Sequence, residues 1–317
     1  MKEPLYQNIV YKKFIHKRVK ILEPRLNNSL QILILGTSRT LTGLSPQIIT
    51  QELSLPPHTV LNFSLPAESY RDIYTVLKNH LKELKRVPLV IIEISPFQFF
   101  YPYSPYIEEK GGMIDKISWS FIYRDFHMLP KSLFLSYRRR DFVRGYLLRW
   151  CRSLARVIKG ENPRKIEEES PFVIKDFQPI GEGWVAAIGK LRKEWEKIDL
   201  MDRKLFPQPS TKEREWRNFL KMVHLVEKEQ LRVLFIEMPV KKEVEKEIIA
   251  RDPSLYKFFQ QRVKPFLKDK GYLILEGNKE LKIDEEGFYD YNHLNKEGAM
   301  ELSKEFSYWL RKKGILQ

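Results

Sequence analysis

Short runs of consecutive apolar residues alternate along most of the chain with longer stretches in which apolar residues recur every three or four positions. Five runs are rich in Ile, Val and Leu and bounded by polar or turn residues: 31–35, 59–63, 89–94, 231–236 and 272–275. Apolar at successive positions, they read as strands buried on both faces. Between the second and third, within 67–86, Tyr70, Ile73, Tyr74, Leu77, Leu81 and Leu84 recur at helical spacing. Before the fourth, Ser210 with Glu213 three residues on has the form of a capping box. Trp216, Phe219, Leu220 and Val223 form the apolar stripe of the helix it opens. Residues 241–270 read as charged and helical, interrupted at Pro253 and Pro265 and closed by Gly271. A last helix over 296–312 buries Ala299, Leu302, Phe306, Trp309 and Leu310.

Strand and helix alternation of this kind predicts an α/β fold, a three-layer α/β/α sandwich with a mostly parallel central sheet. The alternation fails between 100 and 209. That segment opens with the aromatic string Phe99-Phe100-Tyr101-Pro102-Tyr103 and continues into a basic helical stretch over 131–159. We expect one domain over 31–317, preceded by a basic segment over 1–30. Residues 101–209 are expected to form a helical insertion on the carboxyl-end rim of the sheet and to contribute no central strand.

Composition narrows the picture. Apolar residues make up 43% and charged residues 31%, as in folded rather than disordered chains. The 56 Lys and Arg outnumber the 41 Asp and Glu by 15, which predicts attraction to polyanions. The densest strip is Arg138, Arg139, Arg140, Arg144, Arg149, Arg152, Arg156 and Lys159, opposed only by Asp141 and interleaved with Phe142, Tyr146, Trp150 and Leu154. It suits an amphipathic helix meeting an anionic membrane surface or an acidic polymer, or else an ordinary helix packed on the core. Nucleic acid is the less favoured partner, because no recognised binding motif accompanies the charge. Cys151 is the only cysteine, which excludes an internal disulfide. No window approaches the ~18 apolar residues of a membrane span, and residues 1–30 hold no apolar stretch of signal-peptide length. The readings are a cytoplasmic protein, or one whose anchor is missing from this chain.

Two strings carry candidate chemistry. After the first apolar run come Gly36, Thr37, Ser38 and Arg39. Loops at the carboxyl ends of parallel strands are where such sheets bind ligands, so the Ser38 hydroxyl and amide would be presented there. The alternative is a serine that merely caps a helix. Near the other end lies Asp290-Tyr291-Asn292-His293, ahead of the last helix. A carboxylate three residues before a histidine can fix its tautomer and leave the other ring nitrogen to take a proton. The alternative there is a surface loop ending in the helix cap Asn295. A parallel sheet brings both strings to one rim, although they lie at opposite ends of the sequence.

Gly36-Thr37-Ser38 after a strand and Asp290-Tyr291-Asn292-His293 before the terminal helix resemble the first and last blocks of the SGNH (GDSL-type) esterase and acyltransferase family. The resemblance spans 31–100 and 215–312. Gly36-Thr37-Ser38-Arg39 and Ile236-Glu237-Met238-Pro239 are most similar to a bacterial envelope branch that includes alginate O-acetyltransferases and the teichoic-acid D-alanylation protein. It implies a flavodoxin-like SGNH fold and an esterase or O-acyltransferase working through an acyl-serine intermediate. Ser38 would be the nucleophile, His293 the base and Asp290 the orienting acid. The substrate would be an ester or acylated glycan or polymer, with no cofactor and an extracytoplasmic, membrane-associated setting. Oxyanion donors would be the amides of Ser38 and Ser64. The third block departs from the family: its asparagine is missing after the third strand, where Ser95 or Gln98 are the substitutes on offer. A catalytically weak or inactive protein that keeps the fold as a glycan-binding or assembly component is the alternative reading.

Arg39, beside Ser38, is a candidate for binding an anionic substrate group, against the alternative of an ion-paired or solvated arginine. The six histidines, at 16, 58, 80, 127, 224 and 293, show no metal-ligand spacing. A Walker-type phosphate loop and the Gly-x-Ser-x-Gly elbow are both absent from the sequence.

Overall fold

The computed structural model describes residues 9–27, 29–66, 68–99, 177–182, 184–187, 209–243, 245–246 and 253–316. The basic strip Arg138 to Lys159 and Cys151 lie outside them.

Helix α1 (Ile9–Leu22) runs through a 3-10 turn (Glu23–Asn27) into strand β1 (Ile32–Leu35). Helices α2 (Ser38–Gly43) and α3 (Pro46–Glu52) lead to β2 (Val60–Asn62). Helices α4 (Tyr70–Asn79) and α5 (Leu81–Leu84) then lead to β3 (Leu89–Glu93) and a 3-10 turn (Pro96–Phe99). Ser69 and Asp72 close a reciprocal capping box on α4, and the helix expected over 67–86 is broken at His80. Further on come a hairpin of β4 (Phe177–Gly181) and β5 (Trp184–Ala187), helix α6 (Pro209–Lys228) and β6 (Val233–Glu237). Helix α6 begins one residue ahead of Ser210, so that serine is inside the helix rather than its cap.

The sheet has the order β2-β1-β3-β6-β7, with β7 spanning Ile274–Glu276. Every pair is parallel, with Ile34 opposite Asn62 and Leu35 opposite Ile92. This is a three-layer α/β/α sandwich, and the alternation of side chains along β1 assigns its residues to the two layers. Leu33 and Leu35 join one core with Tyr70, Ile73 and Phe219 from α4 and α6, while Ile32 and Ile34 join the other with Ile49 and Phe306. Burying such a side chain contributes ~1.5–3 kcal/mol, which is why the strands carry no polar face. The fully buried exceptions are Glu93, at the end of β3, and Asn62, at the end of β2.

Among the described residues the hairpin pairs only with itself. It leans on the free edge of β2, where the Glu182 carbonyl accepts the Asn62 N–H at 2.9 Å, and Trp184 Nε1 donates to the Thr42 carbonyl of α2 at 2.9 Å. The described part of the expected insertion therefore covers a sheet edge. Among the described residues no helix is long and apolar enough to cross a membrane.

Pro265 does not interrupt its helix. Helix α7 (Pro253–Phe258) passes through a π turn (Phe259–Val263) into α8 (Lys264–Asp269), and the Lys264 N–H reaches the Phe259 carbonyl. The wider turn accommodates a residue that has no N–H to give. Gly271, at φ +77°, ends the run as expected.

After the short α9 (Gly277–Glu280), a compact loop precedes α10 (Lys296–Lys312). The bridge between Phe288 and Leu294 closes the loop, and the Asn295 side chain caps α10 by accepting the Gly298 N–H at 2.9 Å. Gly287 and Gly298 meet backbone to backbone, so a Cβ on Gly298 would overlap the Gly287 peptide.

Gly298→Ala offers a test of that docking. Alanine gains roughly 1 kcal/mol of helix propensity, but overpacking against a backbone costs about 1–3 kcal/mol. We expect net destabilisation in urea unfolding; a variant more stable than the parent would mean that the loop is not pinned there.

Candidate active site

The switch point of the sheet lies between β1 and β3, where successive connections leave in opposite directions, and ligand crevices open at the carboxyl ends of such strands. Both Ser38 and Glu93 are there. Gly36 ends β1 because any side chain at that position would collide with Thr40 and Glu93. Its N–H donates to Glu68 Oε2 at 3.0 Å and its carbonyl accepts from Leu65 N at 2.9 Å. Thr37 caps α2, its hydroxyl accepting the Arg39 N–H at 3.3 Å, and Ser38 becomes the first helical residue. Ser38 alone in this turn keeps partial exposure, whereas Thr37, Arg39 and Thr40 are buried.

Glu93 organises the turn. Its carboxylate accepts from Thr37 N at 2.7 Å, Thr37 Oγ1 at 2.9 Å and Thr40 Oγ1 at 2.8 Å. Arg39 adds Nε at 3.1 Å and Nη2 at 2.5 Å. A buried carboxylate without such donors would be costly, so the turn and the strand end stabilise each other.

Ser38 Oγ lies 2.8 Å from His293 Nε2, and His293 Nδ1 lies 2.7 Å from Asp290 Oδ2. Asp290 Oδ1 accepts the amides of Asn292 at 2.9 Å and His293 at 2.7 Å. Burial opposes ionisation of Asp290, but the adjoining imidazole and these amides outweigh it and hold its carboxyl below the usual aspartate value. A carboxylate facing Nδ1 puts the imidazole proton there and leaves Nε2 to accept from Ser38. The three residues expected to meet are thus brought together.

The oxyanion donors fare differently. The Ser64 amide donates to Asn62 Oδ1 at 3.1 Å, so it is engaged rather than open to a ligand. Asn62, wholly buried, turns its Nδ2 back on α2, donating to the Thr40 and Leu44 carbonyls. Ser95 Oγ accepts the Phe97 N–H at 3.1 Å and caps the 3-10 turn. Gln98 Nε2 donates to the Glu68 carbonyl at 3.4 Å, from a side chain with no exposure. Ser95 and Gln98 are thus engaged with neighbouring backbone, while Gln98 Oε1 has no partner among the described residues. The Ser38 amide, at the start of α2, is the remaining donor of the expected set.

Arg39 is ion-paired with Glu93 and only 5% exposed, the alternative weighed for it. It also lines a groove open to solvent, with Phe97, Glu237, Tyr256, Lys264 and Asn278 among its walls. Lys264 spans Glu237 at 2.6 Å and Glu276 at 2.7 Å. Burial raises Glu237 against the pull of Lys264. In Glu276, by contrast, burial is outweighed by Lys264, Lys279 and Lys268, which take the carboxyl to about 2. Among the described residues no group of three or more His, Cys, Asp or Glu side chains could hold a metal ion.

Sequence reasoning missed Glu93, Asn62, Glu68 and this groove. The signal for Glu93 was an acidic residue inside an otherwise apolar run, which demands partners once buried. No model of a known protein family matches the chain, and no curated protein sequence matches it.

Two stability measurements follow. Glu93→Gln leaves Arg39 buried without its counter-charge, and loss of one member of a buried pair costs about 3–5 kcal/mol; urea unfolding should register a loss of that order, and a change under 1 kcal/mol would contradict the organising role. For Asp290, the depressed folded-state value means its stabilisation is present above the unfolded value, near 3.9, and is lost as pH falls through the folded value. The stability gap between parent and Asp290→Asn should therefore narrow as pH drops from about 6 to below about 3. A gap constant across that window would show that the carboxylate is not preferentially ionised in the fold.

Proposed function

We propose that the protein is a serine esterase or O-acyltransferase of SGNH type that forms an acyl-serine at Ser38. The observation that carries this reading is the Ser38–His293–Asp290 chain of contacts, 2.8 and 2.7 Å long, at the switch point of a parallel sheet. His293 Nε2 takes the Ser38 hydroxyl proton as Oγ bonds to the ester carbonyl carbon, and Asp290 stabilises the resulting imidazolium. The tetrahedral oxyanion receives the Ser38 amide. On collapse the carbonyl re-forms, the alcohol oxygen leaves, and His293 returns the proton to it. Water or a second hydroxyl then attacks the acyl-serine by the same route, giving hydrolysis or transfer. An acylated envelope glycan or polymer is the proposed substrate and an extracytoplasmic setting the proposed address, both on the motif resemblance.

A second reading has its own support. The Ser64 amide is bound to Asn62 and the third-block asparagine is missing. Loss of one oxyanion donor costs ~100- to 1000-fold in rate. A slow enzyme, or a glycan-binding or assembly protein that retains the fold, fits that shortage.

Labelling of the full chain by a fluorophosphonate probe separates the two. An acyl-serine enzyme should take the label at Ser38 and lose it in Ser38→Ala. Absence of label on a folded parent chain, or equal labelling of the Ser38→Ala variant, would refute the catalytic reading.

A further inference from the structure

Helix α1 precedes the sheet and contributes no residue to the triad, yet its Arg18 is only 8% exposed. The guanidinium Nε donates to the Ser64 carbonyl at 2.8 Å and Nη2 to the Asn62 carbonyl at 2.8 Å. Among the described residues β2 is the outermost strand on that side, and neither carbonyl has a neighbouring strand to bond. The N–H of Asn62 on the same edge is taken by Glu182 of the hairpin. Arg18 thus stands where a sixth strand would, closing the exit of β2 with two charge-assisted bonds. Burial lowers the guanidinium pKa, Glu68 opposes the shift, and the group stays protonated at neutral pH.

The clamp continues inward. Asn62 Nδ2 donates to the Thr40 carbonyl at 2.8 Å and to the Leu44 carbonyl at 3.0 Å, gripping the body and the end of α2. Asn62 Oδ1 also holds the Ser64 amide. Helix α2 is only six residues long and opens with Ser38, so what fixes its axis fixes the Oγ.

We infer that Arg18 is a positioning residue for Ser38, holding the exit of β2 so that Asn62 can hold the nucleophile helix against His293. The inference rests on the acyl-serine reading of Ser38 and adds α1 to the parts that reading requires. An arginine that only covered a sheet edge would affect stability and leave the reactivity of the folded protein alone.

The full-length parent, Arg18→Met and Arg18→Lys are compared by two readouts: amide hydrogen exchange, and the rate of fluorophosphonate labelling per folded molecule. In Arg18→Met we expect faster exchange confined to residues 38–44 and 60–65. The bond-forming step of labelling should slow about 10- to 100-fold, as for a small displacement of a reacting group, with probe binding unchanged. Guanidinium ion at non-denaturing concentration should restore part of the rate, and Arg18→Lys should fall between parent and Met variant. Labelling of folded Arg18→Met at the parental rate, or faster exchange spread over the whole sheet, would overturn the inference. Should Arg18→Met not fold, Arg18→Lys is judged by the same two readouts. A parent chain that takes no label sinks the acyl-serine reading instead, and the exchange pattern alone then decides whether Arg18 positions α2.

Discussion

The carboxylate of Glu93 is the interaction on which the geometry of the site depends. It occupies the end of β3 with no exposure to water, and every donor it finds comes from the few residues around Ser38. A buried anion has few ways to be satisfied, so the residues that satisfy it have little freedom. Thr37, Arg39 and Thr40 are held by it, and Ser38, placed between them, is left as the residue whose side chain turns outward. The turn around Ser38 is thus held by its neighbours' bonds to Glu93, together with the Thr42 hydroxyl on the Ser38 carbonyl at 3.0 Å and the contact of Ser38 Oγ with His293.

A second ring of buried polar groups surrounds this one. Asn62 ties β2 to α2, Glu68 receives the Gly36 amide, and Arg18 closes the edge. Ser64 Oγ, Glu68 Oε1 and Gln98 Oε1 remain buried without a partner among the described residues. Burial pushes the Glu68 carboxyl well above its usual range, with Asp72 adding to the effect. So polar a lining behind a serine turn is a cost the apolar cores on both faces must offset.

The elements most legible in the sequence were those whose signal is periodic and local. All five strands appear within two residues of their expected ends, because Ile, Val and Leu on successive positions have few alternatives in a sheet buried on both faces. The triad was legible for a topological reason: a parallel sheet sends the ends of β1 and β7 to one rim whatever the intervening helices do. The engagement of the Ser64 amide was not, because it depends on where the Asn62 side chain turns, and that is decided by Thr40 and Leu44 in three dimensions. Pro265 misled for a similar reason. Proline excludes a bond, and a π turn elsewhere in the helix can absorb the loss. The hairpin at β4 and β5 escaped notice because its strands bury one small patch against α2 and carry no long apolar run.

The contact between Ser38 and His293 spans 255 residues of sequence. During synthesis, at ~5–20 residues per second, the serine is made roughly 13–51 s before the histidine that completes it. Through that interval the nascent chain carries the Ser38 hydroxyl without the imidazole it meets in the fold. The last loop also needs α10 beneath it, where Gly287 rests on Gly298, so assembly of the site waits for that final helix as well. Ser38 and His293 therefore meet only once α10 has docked beneath the last loop and brought Gly298 onto Gly287.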